Sequence, residues 1–438
     1  MKDNQKKLGL WSIVLLGFNS IIGSGIFLLP ASLYKFAGDW SVAIVFITGA
    51  IVATIALCFA EAAGYFSKNG AAYVYTKEAF GNFAGFEVGF LKWFMQCIAW
   101  AVMAVAFKNI LASTFDFANN ALLCNSIVAG IVLLLTGINL MGVSATKIVN
   151  NVSTVAKMLP LIFLIVVGIW YVEPSNIIPN ATPNPRYALG AETVISALIL
   201  AFYSFTGFET FGTAAEDMEN PKKNLPKAIC LSLGIVMMFY ALVMAVTVGI
   251  LGESVAESGT PLADAAKVVS GDFGFWLITI GSIISIAGIN VAASFHIPRA
   301  LLPLADDKMI PAFFGKKTAK GVPAVAIIAS GLVTVPIALS GSFAELAMLS
   351  VVARFAQYIP TCISILIFRK RFANDKAAQQ SFKAPFGSVL PIAAVLVCLA
   401  LLSDQDPMKI LIGLGFVVCI SPLYFFANRK TNRSVANA

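Results

Sequence analysis

FNSIIGSGIF, residues 18–27, interrupts the first long apolar stretch of the chain. Two glycines flank a serine there, and both residue types are poorer helix formers than alanine. At membrane depth such a segment is either a close helix crossing, because small residues let helices approach, or a point where the helix unwinds. The segment alone leaves both interpretations open.

A second segment, FYSFTGFETF at residues 202–211, aligns with residues 18–27 without a gap. Glycine-interrupted spans at corresponding positions in two halves of a membrane protein indicate a transporter built from an inverted repeat. The pairing therefore favours unwound helices over close crossings. The identical positions are Phe18 and Phe202, Ser20 and Ser204, Gly23 and Gly207, and Phe27 and Phe211.

Long apolar stretches recur along the whole chain of 438 residues, which is 59% hydrophobic and 12% charged. A helix needs about 20 mostly apolar residues to cross the hydrocarbon core, whereas the strands of a membrane barrel are short and alternate. The sequence therefore predicts an all-α integral membrane protein with about 12 transmembrane helices. The predicted spans are roughly 11–34, 41–66, 84–114, 122–141, 148–172, 190–215, 228–251, 273–300, 322–340, 344–368, 388–403 and 408–427.

The basic residues are sorted between the two sides of this predicted bundle. Of the 30 lysines and arginines, 22 fall on the side of the termini and five on the other side. Basic residues concentrate in cytoplasmic loops, so we expect a multi-pass cell membrane protein with both termini in the cytoplasm. The formal net charge of +8 then reflects topology, and no nucleic-acid partner is expected. The three remaining cations lie in or at the ends of spans: Lys92, Lys157 and Arg354.

Two of these cations occupy matching positions in the fifth and tenth spans. The sequence VAK ends at Lys157 shortly before Pro160, and VAR ends at Arg354 shortly before Pro360. Each cation lies about ten residues into its span, or about 15 Å at the helical rise, which is near the membrane midplane. Both halves are thus predicted to place a buried cation at the same depth.

An interrupted helix frees backbone groups, which are tolerated at membrane depth only where they line a cavity or are buried in protein. The amides after Gly23 begin a new helix, whose positive end attracts a carboxylate. The carbonyls near Ile21 and in residues 203–206 can accept hydrogen bonds from an ammonium group. This combination fits an α-amino acid, and Tyr203 and Phe205 are predicted to cover it.

Several motifs in order resemble the amino acid, polyamine and organocation (APC) superfamily, and the resemblance covers nearly the whole chain. The motifs are IGSGIF at 22–27 with Pro30, Ala60-Glu61 ahead of Gly70 and YVY at 73–75, FTGFE at 205–209, EDMENP at 216–221 running on to NLPKAI at 224–229, and Arg299 before LADD at 304–307. None would suffice alone, but together they are specific.

The resemblance implies a LeuT-like fold, in which ten core helices form a 5+5 inverted repeat, helices 1 and 6 are unwound, and two helices are added at the C-terminus. The implied regions are 1–172 for the first repeat, 190–368 for the second, 388–427 for the additional helices and 428–438 for a cytoplasmic tail.

The resemblance also implies substrate contacts at the two breaks. The amides of Ser24 and Gly25 would hold the carboxylate, and the carbonyls of Ile21, Tyr203 and Thr206 would hold the amino group. Tyr203 would also act as an aromatic gate, and the third helix would help to read the side chain. The substrate-binding set is therefore Ile21, Ile22, Gly23, Ser24, Gly25, Tyr203, Phe205, Thr206 and Gly207, with Gln96 and Trp100 from the third helix.

An ionisable residue inside the bilayer is costly and suggests function by default. Lys157 resembles the fifth-helix lysine that in sodium-independent relatives occupies the place of a bound sodium beside the first break; the alternative is a structural tether. Glu209 follows the second break, where relatives use a glutamate in proton sensing or gating. Because the repeat relates the fifth helix to the tenth, we predict that Arg354 pairs with Glu209. His296, the only histidine, is expected to pack at the membrane interface.

Together these features predict a sodium-independent secondary transporter of amino acids that works by alternating access, as an exchanger or a proton-coupled permease. Its partners would be the substrate, protons and the lipid bilayer. Small neutral amino acids are favoured, because no acidic residue beyond Glu209 is a candidate for binding a cationic side chain. A cationic amino acid or polyamine antiporter and a non-transporting sensor remain alternatives. No Walker-type phosphate loop is present, and we expect neither enzymatic activity nor a metal or cofactor.

Overall fold

In the described part of the chain every regular element is a helix. The computed structural model describes residues 9–66, 71–142, 146–178, 186–187, 190–211, 218–375, 379, 381–403, 418 and 420–425. Its α-helices are α1 (Leu10–Ile21), α2 (Gly25–Ala37), α3 (Ser41–Tyr65), α4 (Ala72–Phe80), α5 (Asn82–Thr114), α6 (Ala121–Leu140), α7 (Thr146–Gly168), α8 (Ala191–Phe205), α9 (Pro221–Leu251), α10 (Pro261–Arg299), α11 (Leu302–Asp306), α12 (Ala324–Leu339), α13 (Phe343–Arg371) and α14 (Val389–Ser403).

Within these residues, eight helical stretches are long and apolar enough to cross a membrane, and the shorter apolar helices α1, α12 and α14 accompany them. The chain is therefore a multi-pass membrane protein. Most of the predicted span 408–427 lies outside the described residues, as do the tail 428–438, Gly70, and Glu216 and Asp217 of the EDMENP motif.

The first predicted span consists of two helices, α1 and α2. Two helical features differ from the predicted spans, and one is a short helix, α4, that lies between α3 and α5. Helix α10 begins at Pro261, a dozen residues before the predicted span, and bends at Ser270 and Gly271, where Gly271 has a φ of +64°. Charged residues such as Asp264 and Asp272 lower the apolar signal of this first part, so hydrophobic length alone missed it.

The two helix ends near the centre of the bundle lie beside each other. Helix α1 ends at Ile21 and α2 begins at Gly25, while α8 ends at Phe205 and is followed by extended backbone at Thr206. Gly207 has a φ of +115°, and a Cβ atom built on it would collide with the carbonyl oxygen of Ser20. Glycine is therefore required both by the backbone conformation and by the close approach of the two breaks.

The helices on either side of the two breaks pack against other helices of the bundle. Helix α1 packs against α9, and α2 packs against α8, which also contacts α3 and α13. Helix α7 lies along α10, and α5 contacts both α10 and α13. Side chains from α5, α7, α10 and α13 can therefore reach the space beside the breaks.

Candidate functional site

A cavity of about 640 Å³ lies beside the two breaks. Its walls come from both breaks and from α5, α7, α10 and α13. It extends to the end of the bundle at which α4 and α11 lie, because Tyr73, Arg299 and Leu304 also line it.

The opposite end of the cavity is closed by an aromatic contact. The ring of Tyr203 meets the ring of Phe343 edge to face, with centroids 5.9 Å apart. The hydroxyl of Tyr203 also lies 3.3 Å from the Ser24 hydroxyl, which joins α8 to the start of α2. Tyr203 thus lies between the cavity and this end of the bundle.

Most residues of the predicted substrate-binding set line the cavity. Two do not: Ser24, which is fully buried behind the lining, and Phe205. Phe205 is two residues from Tyr203, which turns it by about 200° to the other side of α8, and its ring packs against Tyr240 with centroids 5.3 Å apart. The expectation that Phe205 covers the site is therefore wrong. The members that line the cavity are Ile21, Ile22, Gly23, Gly25, Gln96, Trp100, Tyr203, Thr206 and Gly207.

The backbone groups at the breaks differ in what they can still bind. Among the described residues, the amides of Ser24 and Gly25 at the start of α2 have no hydrogen-bond acceptor. The Tyr203 carbonyl accepts from both the hydroxyl and the amide of Thr206, at 2.7 and 3.2 Å. A carbonyl has two lone pairs, so this oxygen has no remaining capacity for a substrate ammonium.

The other two predicted carbonyls retain capacity. The Ile21 carbonyl accepts one hydrogen bond, from the Tyr240 hydroxyl on α9 at 3.0 Å, and one lone pair remains. The Thr206 carbonyl accepts none from the described part of the chain. The cavity lining therefore offers the Gly25 amide beside two carbonyls, while the unpaired Ser24 amide belongs to a buried residue next to the lining. Tyr240 is a contributor that sequence reasoning did not identify.

Lys157 on α7 lies against the first break. Its Nζ atom donates to the carbonyls of Asn19 at 2.9 Å and Ile22 at 2.7 Å, and the residue is 1% exposed. These carbonyls belong to the end of α1, where the helix dipole is negative. Lys157 therefore places a hydrogen-bond donor between the end of α1 and the cavity.

Glu209 is held just after the second break by several donors. Arg354 Nη1 lies 2.5 Å from Oε1, so the ion pair predicted from the repeat is present. The other carboxylate oxygen accepts from the Gly207 amide at 2.9 Å and from the Tyr358 hydroxyl at 3.2 Å. Arg354 also donates to the Met95 sulfur at 2.8 Å.

Further polar residues line the cavity that the sequence did not single out for binding. Lys92 lies on α5 below Gln96 and Trp100, and helical spacing of four residues could have revealed this shared face. Ser204 follows Tyr203 on α8. His296 on α10 also lines the cavity, with Nδ1 2.7 Å from the Ala292 carbonyl.

The end of the cavity near α4 is bordered by a polar cluster. The Lys77 ammonium lies 2.5 Å from the Asp307 carboxylate, and the Tyr73 hydroxyl donates to the same oxygen. Burial and the hydrogen bond to Asp307 raise the pKa of Tyr73 above its usual range, so the phenol keeps its proton. This cluster joins α4 to the residues that follow α11.

Comparisons with known proteins agree over nearly the full length. Residues 8–430 match the amino acid permease family model. An uncharacterised transporter of Mycobacterium bovis is 35% identical over 96% of this chain and 90% of its own length.

Two relatives from Bacillus subtilis are more distant. A methylthioribose transporter is 27% identical over 98% of this chain and 95% of its own length. A branched-chain amino acid permease is 26% identical over 99% of this chain and 95% of its own length. With a family match over almost every residue and a 35% identical relative, the chain belongs to the amino acid permease family of the APC superfamily.

Proposed function

We propose that this membrane transporter carries amino acids across the cell membrane by alternating access without sodium, as an exchanger or a proton-coupled permease. The observation that carries the proposal is the Lys157 ammonium at 2.9 and 2.7 Å from two carbonyls of the first break. A cation is already built into the place where the end of α1 would favour a metal ion. The break is therefore charge-compensated without sodium.

The chemistry of the breaks supports an α-amino acid as the substrate. The amides of Ser24 and Gly25 can hold a carboxylate at the positive end of α2, and the carbonyls of Ile21 and Thr206 can accept from an ammonium. The relative named as a branched-chain amino acid permease supports the same class. A small neutral side chain is favoured because the Glu209 carboxylate is already paired with Arg354.

A LeuT-like inverted repeat accounts for the arrangement of both halves. The breaks occur at aligned positions in α1 and α8, and a cation from α7 or α13 lies beside each. These paired contacts are the ones that a two-fold relation between the halves requires. We therefore assign 1–172 and 190–368 to the two repeats.

The open end of the cavity suggests which step of the transport cycle this conformation represents. The basic residues concentrate on the side of α4 and the loop after α11, which supports a cytoplasmic location for this side and for both termini. The cavity then opens inward, and Tyr203 with Phe343 forms the outer closure. Alternating access would require this closure to open while the end near α4 closes.

A second candidate substrate follows from one relative. The methylthioribose transporter matches this chain about as well as the amino acid permease does. Methylthioribose is neutral and lacks a carboxylate for the amides of Ser24 and Gly25, so we rank it second.

Counterflow into proteoliposomes tests the proposal. Vesicles loaded with an unlabelled mixture of neutral amino acids, without sodium, should accumulate labelled amino acid above the level of protein-free vesicles, and two pH values distinguish exchange from proton coupling. Binding of labelled amino acid without flux would indicate a sensor instead. Flux of labelled methylthioribose without amino acid flux would overturn the substrate assignment.

A further inference from the structure

We infer that the loop of residues 311–323, between α11 and α12, binds the headgroup of an anionic phospholipid. The ammonium groups of Lys316, Lys317 and Lys320 hold the phosphate, and the ring of Phe313 lies against the acyl chains. The inference goes beyond the proposed function, because it names a lipid partner for a surface outside the transport cavity.

The loop lies where the outer sides of two neighbouring helices end. Helices α6 and α12 pack against each other, and both carry exposed apolar side chains, such as Leu134 and Leu332. In a multi-pass membrane protein such side chains face the hydrocarbon core. Helix α6 ends at Leu140 and α12 begins at Ala324, next to the loop. The loop is therefore placed at the level of the lipid headgroups.

The charge of the loop is entirely positive. Residues 311–323 contain three lysines and no acidic residue, and Lys316, Lys317 and Lys320 are all exposed. Within the described part of the chain none of the three takes part in an ion pair. A lysine near an anionic membrane surface strengthens the attraction about fivefold. The loop therefore favours an anionic headgroup over a zwitterionic one.

A turn fixes the backbone around these lysines. The Thr318 amide donates to the Val322 carbonyl at 2.9 Å, and the Gly321 amide donates to the Thr318 carbonyl at 2.8 Å. Gly321 has a φ of +74°, a conformation that favours glycine. The stem of Lys320 lies beside the end of α6, since a Cβ atom built on Gly142 would be 3.6 Å from its Cβ. A lysine whose stem packs in this way can extend its ammonium group toward the headgroups.

Phe313 supplies an apolar contact next to the lysines. It belongs to the short 3-10 helix Ala312–Phe314, and its ring lies 4.5 Å from the ring of Phe314 between centroids. Phe314 packs against the hydrophobic core, whereas Phe313 is 48% exposed. An exposed aromatic side chain beside lysines is typical of segments that lie in the membrane interface.

A second group of lysines shows how this loop differs from other basic surfaces on the same side of the membrane. Three exposed lysines lie in the first turns of α9: Lys222, Lys223 and Lys227. Three acidic residues precede them: Glu216, Asp217 and Glu219. No large hydrophobic residue is exposed among the described residues 218–227. This second group therefore has the same number of lysines without the aromatic contact, and acidic residues offset its charge.

Native mass spectrometry of the full chain in mixed micelles, with equal amounts of phosphatidylglycerol and phosphatidylcholine, tests the inference. We expect the wild-type protein to retain phosphatidylglycerol at its tightest site at least tenfold more strongly than phosphatidylcholine. The triple variant Lys316→Gln, Lys317→Gln and Lys320→Gln should reduce this preference at least tenfold. Phe313→Ser should weaken the binding of both lipids several-fold but keep the preference for phosphatidylglycerol.

The triple variant Lys222→Gln, Lys223→Gln and Lys227→Gln is the matched control, because it removes the same charge from the same side of the membrane. It should leave the lipid preference unchanged. Equal losses in the two triple variants would overturn the site, because they would show an effect of overall charge. Displacement of the lipid by millimolar inorganic phosphate would overturn it in favour of a soluble anion.

A wild-type protein without any lipid preference would also overturn the inference, even if no variant folded. The measurement contains no amino acid and records no flux. Its outcome is therefore independent of whether the proposed transport function is correct.

Discussion

Arg354 Nη1 lies 2.5 Å from Glu209 Oε1, and the two side chains are 7% and 2% exposed. This contact ties the middle of α13 to the residues that follow the break after α8. It is a buried ion pair, for which loss of one partner costs far more than loss of both. Loss of either partner is therefore expected to affect both the backbone after the second break and the stability of the helix bundle.

Glu209→Gln should destabilise the protein by about 3 to 5 kcal/mol, because it leaves the Arg354 guanidinium buried without a counter-charge. Adding Arg354→Met should recover much of that loss. The measurement is the free energy of unfolding in mixed micelles for both single variants and the double variant.

The exposed pair of Arg186 and Glu257, at 71% and 69% exposure, supplies the control for this prediction. Glu257→Gln should change the free energy of unfolding by about 1 kcal/mol or less. Purely additive losses in the double variant would contradict the pairing.

A second prediction concerns the contact between the two breaks. Gly207→Ala should cost at least about 2 kcal/mol, because alanine is strained at a φ of +115° and its Cβ would collide with the Ser20 carbonyl. Gly130→Ala on α6 is the matched control, since nothing lies within 4 Å of its added Cβ. That variant should be neutral or more stable by about 0.5 to 1 kcal/mol. Thermal unfolding of both variants in detergent is the measurement, and equal shifts would refute the close approach.

The ion pair between Arg354 and Glu209 could be predicted from sequence because it depends on features that recur. Two glycine-interrupted segments align, and each half has a cation in a matching span, so this pair followed from comparing one half with the other. The place of Lys157 beside the first break was implied by the family resemblance instead. Hydrophobic length also located most of the long helices, but not α4, α11 or the first part of α10. Both signals come from the order of residues along the chain, so one sequence is enough to detect them.

The remaining parts of the site depend on side-chain direction and on competition for hydrogen bonds. Phe205 is adjacent to the break in sequence but lies on the opposite side of α8 from Tyr203. Tyr240 occupies one lone pair of the Ile21 carbonyl from α9, which no local pattern indicates. The hydroxyl of Thr206 saturates the Tyr203 carbonyl, a bond that exists only because the helix ends there.

The two glycines at the first break should respond differently to alanine. A Cβ on Gly25 would lie 2.9 Å from the Ser204 hydroxyl and 3.2 Å from the Tyr203 ring, whereas one on Gly23 would lie 3.9 Å from its nearest neighbour, the Ile21 carbonyl. Gly25→Ala should therefore lower stability by about 1 to 3 kcal/mol. Gly23→Ala should keep wild-type stability but raise the KM for substrate about tenfold, since its methyl group occupies cavity space.

Thermal unfolding and uptake kinetics, measured on the same preparations, separate these two effects. The Gly23→Ala protein supplies the folded control for Gly25→Ala, because both change the same break by one methyl group. A wild-type KM in Gly23→Ala would show that the substrate does not lie over the first break. A wild-type melting temperature in Gly25→Ala would show that Ser204 and Tyr203 can move away from α2.

Lys157→Met should reduce uptake at least tenfold. Methionine has a similar length but cannot donate, so the carbonyls of Asn19 and Ile22 would lose a charged hydrogen-bond donor worth about 1.5 to 3 kcal/mol each. If the ammonium also carries the transported proton, the residual uptake will lose its dependence on pH. The measurement is initial uptake into proteoliposomes at pH 5.5, 6.5 and 7.5, without sodium and with sodium added.

Lys35→Met is the control for the lysine substitution. Lys35 is exposed at the far end of α2, so this variant should transport normally. Sodium that restores uptake to Lys157→Met would show that the ammonium occupies a cation site. Full uptake with an unchanged pH profile would instead mean that Lys157 is neither the built-in cation nor the proton carrier.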